Sequence, residues 1–285
     1  GYCEKVCSSG VKFTEEIERV RESLVSEGYF VEKHVELLKK IEVYGNPYGE
    51  ESKNFELKEA EVVYFPGCTA LYKEREIYEA TIRVLDSLRV DYYVESKHCC
   101  GSTAIRVGLG RDVALKGFQN LKRSVEETGA SIIVTSCPGC YRTIKKDYRK
   151  FGSIGAEVKH ITEFLSDRID RVSVSRKDVR ISYHDPCHLG RHMGVYDEPR
   201  VLIESVGTLV ELERIREESF CCGGGGGVRA GFKDLSMMVR EQRLAEVREK
   251  NPDVLVTACP FCYRNLKRSE VEVKDITVLL AEMMR

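Results

Sequence analysis

The chain has 285 residues, enough for two domains of ordinary size, each with its own core. With 45 basic against 46 acidic residues its net charge is -1 and its pI about 6.7, so no basic surface marks a nucleic-acid partner. Charged residues make up 32% of the sequence, which excludes a disordered chain, and no apolar run approaches the roughly 20 residues that cross a bilayer. No secretory signal is legible, so a cytoplasmic location is expected, with the 12 cysteines present as thiols.

In chain order, residues 11–42 read as helical, with Phe13, Ile17, Val20, Leu24, Val35, Leu38 and Ile41 near a 3.6-residue period. Asn46-Pro47-Tyr48-Gly49 is a turn signal, and a charged stretch over 50–61 follows it. Strands and helices then alternate: a strand at 62–65 running into Cys68, a helix over 74–88, and a strand at 92–94 before Cys99-Cys100. A helix over 111–128, a strand at 132–135 ending at Cys137, a strand at 157–160 and a helix from about Thr162 complete the first half. The second half repeats this order, with strands at 179–183, 208–212, 254–257 and 271–274 and a final helix over 276–284. Alternation of this kind predicts an α/β fold of two duplicated, Rossmann-like domains with parallel sheets, preceded by a helical N-terminal segment. The boundaries expected are 1–56, 57–170 and 171–285.

Ten of the 12 cysteines obey one pattern used twice: Cys68, Cys99-Cys100, Cys137-x-x-Cys140, and then Cys187, Cys221-Cys222, Cys259-x-x-Cys262. Thirty-six residues separate the adjacent pair from the CxxC in both copies, whereas the first gap is 30 residues in one and 33 in the other. Equivalent positions lie 119 or 122 residues apart, a period that indicates domain duplication. Because ligands of open α/β sheets sit beyond the carboxyl ends of the strands, the five thiols of each copy are expected to converge there. A structural zinc takes four ligands, as does an ordinary cubane cluster. The fifth thiol, two of the five being adjacent, points instead to a larger or distorted cluster; zinc and redox disulfides remain as alternatives.

The run Phe65-Pro66-Gly67-Cys68, the triplet Cys99-Cys100-Gly101, the segment His184-Asp185-Pro186-Cys187-His188-Leu189-Gly190-Arg191 and Cys221-Cys222-Gly223-Gly224 resemble the cysteine-rich CCG domain, over roughly residues 60–285. That domain occurs in the catalytic subunit of heterodisulfide reductases and in iron–sulfur subunits of glycolate, lactate and anaerobic glycerol-3-phosphate dehydrogenases. The resemblance implies two noncubane [4Fe-4S] clusters, one held by Cys68, Cys99, Cys100, Cys137 and Cys140, the other by Cys187, Cys221, Cys222, Cys259 and Cys262. Cys3 and Cys7 are spaced like the end of a ferredoxin motif, with Ser8 where a proline usually follows. Together with a start at Gly1-Tyr2, they suggest a piece of a longer protein carrying an additional cubane [4Fe-4S] cluster.

His188, beside a ligand cysteine, is the first candidate for proton delivery, and His98, before the first cysteine pair, the second. His184 and His192 read as hydrogen-bonded loop residues, since Pro186 prevents a helix through them. Arg142, Arg191 and Arg264 are the cations nearest the cysteines in sequence and either hold an anionic substrate or offset thiolate charge. The glycine run 223–227 lacks a phosphate-loop context and is expected to bring backbone N–H groups close to sulfur, with Gly225 shaping the second pocket.

The expected function is that of an iron–sulfur oxidoreductase subunit resembling heterodisulfide reductase, reducing a small disulfide. Its electrons would come from a ferredoxin-like domain, a flavoprotein or a membrane cytochrome, the last placing it at the inner face of the membrane. The alternative is an electron-transfer subunit of a flavin-dependent glycolate, lactate or glycerol-3-phosphate dehydrogenase; a third class is a zinc-bound structural module.

Overall fold

Eight short strands form two separate four-stranded sheets in a computed structural model that describes residues 1–285. The first sheet contains β1 (Val62–Phe65), β2 (Tyr92–Val94), β3 (Ile132–Thr135) and β4 (Glu157–His160) in the order β2-β1-β3-β4. In the second, β5 (Arg180–His184), β6 (Thr208–Leu209), β7 (Val254–Thr257) and β8 (Val273–Asp275) take the order β6-β5-β7-β8. All neighbours are parallel, with Val63 opposite Ile133 in one sheet and Tyr183 opposite Val256 in the other. The apolar runs of the inner strands β1, β3 and β7 are what a parallel sheet covered on both faces requires. The expected α/β duplication is thus present, and the helical N-terminal segment precedes it.

Each chain path leaves the first strand to one side and returns on the other. This places a switch point between β1 and β3, and another between β5 and β7. Cys68 follows β1 and Cys137 follows β3, so these two flank the first crevice, while Cys187 and Cys259 flank the second.

The two copies pack on each other through equivalent helices. Helix 75–87, the first full helix of copy one, packs on helix 276–283, the last of copy two; helix 197–204 packs on helix 161–166 in the reciprocal way. The faces are amphipathic: Ile77, Ala80, Thr81, Val84 and Leu85 are buried at helical spacing, and Leu279 and Leu280 answer them. Each fully buried Val or Leu of this kind contributes about 1.5–3 kcal/mol. Thr81 Oγ1 reaches Thr277 Oγ1 at 3.2 Å across the joint. Charge reinforces it, since the buried Glu74 pairs with Arg264 at 2.8 Å and with Lys267.

The N-terminal region departs from a single helical stretch. Gly28, at φ +91°, separates helix 13–26 from helix 32–44, because a left-handed residue cannot continue a right-handed helix. Helix 13–26 buries none of its apolar stripe, whereas 32–44 buries His34 and Ile41. The strand expected at 208–212 is shortened to two residues, and β5 runs one residue further than read, so that His184 ends a strand instead of standing in a loop.

Candidate functional site

The five thiols of each copy form a continuous chain of sulfur contacts with the same order of members. In the first, Cys68 meets Cys99, Cys99 meets Cys100, Cys100 meets Cys140 at 3.3 Å, and Cys140 meets Cys137. In the second the order is Cys187, Cys221, Cys222, Cys262 and Cys259. All 12 cysteines are free thiols. Spacing alone made these residues candidates, and the strand ends bring the five of each copy together.

Local backbone geometry explains the convergence. Cys137 and Cys259 cap the helices 138–145 and 260–266, with proline at the first helical position of each, where its missing N–H costs nothing. The N–H of Gly101 donates to Cys99 Sγ at 3.4 Å and that of Ser102 to Cys100 Sγ at 3.5 Å; Gly223 and Gly224 repeat this on Cys221 and Cys222 at 3.3 and 3.4 Å. Gly101 and Gly223 hold φ near +79° and +78°, and a Cβ on Gly223 would lie 2.4 Å from the Ser236 carbonyl. A Cβ on Gly67 would stand 3.2 Å from Cys140 Sγ, so that residue keeps the mouth of the first set open.

Thiol and backbone N–H donors hold Cys99 and Cys221 well below the usual thiol range, Cys99 through Cys100 and Cys68, Cys221 through Cys187 and Cys222. Cys68 and Cys187 are pushed up, by donating to those same two sulfurs and by burial. Each copy therefore offers a ready thiolate at the first member of its adjacent pair, surrounded by further soft donors. Five converging sulfurs, several of them accepting backbone N–H bonds, fit an iron–sulfur cluster better than a closed four-ligand zinc site.

Both thiol sets border one cavity of about 420 Å³. Its wall includes the glycine loop 224–227, Tyr48 and the helix 32–44, which contributes Lys33, Glu36, Leu37 and Lys40. His34 Nε2 contacts the Gly227 carbonyl at 2.9 Å and ties that helix to the loop. Gly227, at φ +80°, admits no side chain because a Cβ would meet Val107 at 2.4 Å, while Gly225 lines the cavity with nothing within 4 Å of its own Cβ position. The cavity wall carries Lys33, Lys40, Arg106, Arg229 and Arg264 against Glu36.

His188 borders this cavity, and its Nδ1 is buried without a hydrogen-bond partner. Burial first, then the cations Arg142 and Arg106, push it down to about 3, so the imidazole is neutral at physiological pH instead of titrating there. His98 does not line the cavity; it is half-buried, with Nδ1 directed near Gly45. The three arginines divide as well. Arg264 lines the cavity while bound to Glu74, Arg142 is buried against Glu18 at 3.3 Å, and Arg191 donates to the carbonyls of Glu217 and Ser219. Sequence reasoning missed Arg106, Arg229, Lys33 and Lys40, which reach the cavity from segments carrying no cysteine.

Cys3 and Cys7 stand outside both sets, at the helix Tyr2–Val6 that packs near 216–218 of the second copy. No helix is long and apolar enough to cross a membrane.

Comparison with known proteins finds the same duplication. A family model described as a cysteine-rich domain, CCG, matches twice, over residues 62–145 and 181–267. One component of the dihydromethanophenazine:CoB–CoM heterodisulfide reductase of Methanosarcina acetivorans is 39% identical over 311 aligned positions, covering 100% of this chain and 76% of that protein. A component of a fumarate reductase (CoM/CoB) of Methanothermobacter marburgensis is 32% identical, covering 98% of this chain and 59% of that protein. An EtfAB:quinone oxidoreductase of Syntrophomonas wolfei is 31% identical over 80% of this chain and 34% of its own length.

Proposed function

The chain belongs to the cysteine-rich CCG domain family, and from that premise we propose that it is an iron–sulfur oxidoreductase subunit that reduces a disulfide at two noncubane [4Fe-4S] clusters. The observation that carries this reading is the single cavity bordered by thiols of both five-cysteine sets. The ligands are Cys68, Cys99, Cys100, Cys137 and Cys140 for one cluster and Cys187, Cys221, Cys222, Cys259 and Cys262 for the other. When bound, each cluster supplies one electron and a thiophilic iron; the protein supplies position and electrostatics.

The balance is RSSR′ + 2 e⁻ + 2 H⁺ → RSH + R′SH. One sulfur–sulfur bond breaks, each sulfur gains one electron and one proton, and no thiyl radical is released when the two sites act on one substrate. A cavity of about 420 Å³ accepts a small molecule. Lys40 and Arg229 line it without a carboxylate partner, which favours an acidic disulfide. His188, which borders the cavity, is the residue that passes protons to the departing sulfurs. The electron donor is a partner protein or a further domain, either ferredoxin-like, a flavoprotein or a membrane cytochrome; Cys3 and Cys7, spaced like the end of a ferredoxin motif, are two ligands of a further cubane cluster. The setting is cytoplasmic, at the inner membrane face where a partner holds it there.

The similarity to a quinone oxidoreductase favours one second reading, that the sites only relay electrons. Turnover separates the two. With a reduced viologen dye, cluster-replete chain is expected to cleave small acidic mixed disulfides. His188→Gln should slow this by roughly 10²-fold or more at unchanged iron content, while His98→Gln should stay within about twofold. Failure with every disulfide tried, in cluster-replete protein, overturns the catalytic reading in favour of the relay.

A further inference from the structure

The two copies match at the thiols and differ behind them. The strand leading to the first cysteine ends in Phe65 in one copy and in His184 in the other. On the long helix after the cysteine pair, Leu121 and Ser124 of 111–128 correspond to Arg243 and Glu246 of 233–250. Phe65 and Leu121 are buried and apolar and offer no donor to the first set, while Ser124 bonds instead to the buried Glu95.

Behind the second set lies an unbroken polar line. Glu246 accepts from Arg243 Nη1 at 2.7 Å, and Arg243 Nε donates to His184 Nδ1 at 3.1 Å. Arg243 is wholly buried and His184 is 1% exposed. Guanidinium has donors only, so Nδ1 accepts, which puts the proton of a neutral ring on Nε2. Nε2 is buried and has no partner, while one ring nitrogen of His184 lies within 4.8 Å of the sulfurs of Cys222 and Cys262. Because Nδ1 is taken by Arg243, Nε2–H is the one ring donor still free to bond a sulfur. An unpaired buried donor costs about 1–3 kcal/mol, a cost that a hydrogen bond to an electron-rich sulfur removes.

We propose that His184, held by Arg243 and Glu246, donates a hydrogen bond from Nε2 to sulfur at the second site and thereby gives that site a higher reduction potential than the first. The inference rests on the reading that each thiol set holds an iron–sulfur cluster. A hydrogen bond to cluster or thiolate sulfur stabilises the more negative, reduced state, and a buried cation behind the donor strengthens it. The first site has no such donor at Phe65. The two sites are therefore filled in order, the second holding the first electron, and His184 is a positioning residue that tunes this order without touching substrate.

The test is an anaerobic redox titration of full, cluster-replete chain, followed by electron paramagnetic resonance. His184→Phe copies the first site at one position; the triple replacement His184→Phe, Arg243→Leu, Glu246→Ser copies it at all three and leaves no arginine buried without a partner. Both should lower the higher of the two midpoints, by at least a tenfold change in the reduced-to-oxidised ratio at fixed potential, about 59 mV for a one-electron couple. The other midpoint should not move. His184→Gln, which keeps an N–H donor, should recover part of the shift, and the reduced wild-type second site should show an exchangeable-proton coupling that the Phe variant lacks. Unchanged midpoints in iron-replete variants overturn the inference and leave the clusters standing. Loss of about half the iron on removing His184 makes it an iron ligand instead and also overturns it. Wild-type chain that assembles no cluster at all removes the underlying reading, a distinct failure.

Discussion

Replacing Cys222 by serine is expected to halve the iron of the chain, from about eight to about four atoms, and to abolish disulfide turnover. Cys222 is the central member of the second set: its sulfur meets those of Cys221 and Cys262, and the residue is 3% exposed. Serine keeps the volume but exchanges a soft thiolate for a hard, weakly acidic hydroxyl that iron in a sulfur cluster does not retain. The first set sits on its own sheet, with its own backbone donors, and should keep its cluster. One remaining site can deliver one electron, whereas a disulfide needs two, so activity should fall far more than half. Cys100→Ser should mirror the result at the first site, and Cys3→Ser, outside both sets, should leave the eight irons in place. Iron and acid-labile sulfide assays on anaerobically purified variants read all three.

The second large effect concerns stability. Asp185 stands between β5 and Cys187, 2% exposed, with both carboxylate oxygens on Arg200 at 2.9 and 3.0 Å. One oxygen also accepts the Arg216 N–H at 2.9 Å, and the Asp185 carbonyl accepts from Ser219 Oγ at 3.3 Å. The residue thus fastens the segment that carries Cys187 to the one that leads into Cys221-Cys222. Asp185→Ala leaves Arg200 buried with only Glu211 to balance it, and removal of one partner from a buried pair costs about 3–5 kcal/mol. Chemical denaturation should show that loss, with iron leaving the second site first. The double replacement Asp185→Leu, Arg200→Met, which removes both charges, should recover most of the stability. Equal stability of Asp185→Ala and wild type would mean that the network does not hold the loop.

Much of this architecture is legible in the sequence because its signals are local. Short apolar runs such as Ile132-Ile133-Val134 mark strands, and cysteines placed after them mark where thiols meet. What escaped is set by contacts distant in sequence. His184 reads as one more loop residue, since nothing nearby announces that Arg243, 59 positions on, would take its Nδ1. The helix 32–44 reads only as amphipathic, and its place on the cavity wall depends on His34 meeting Gly227, 193 residues away. The surroundings of His188 are illegible for a related reason: its sequence neighbours do not show the burial beside Arg142 and Arg106 that lowers its pKa. Among the glycines, composition singles out the whole run at 223–227, yet only positions such as 223 and 227 combine positive φ with a close neighbour.

The most direct measurement is a single turnover under strict exclusion of oxygen. Chain carrying about eight irons is reduced at both sites, freed of reductant, and mixed with one equivalent of a small acidic mixed disulfide. The account predicts two thiols released per chain, with the reduced-cluster signals of both sites lost together. Persistence of both signals with no thiol released would contradict it.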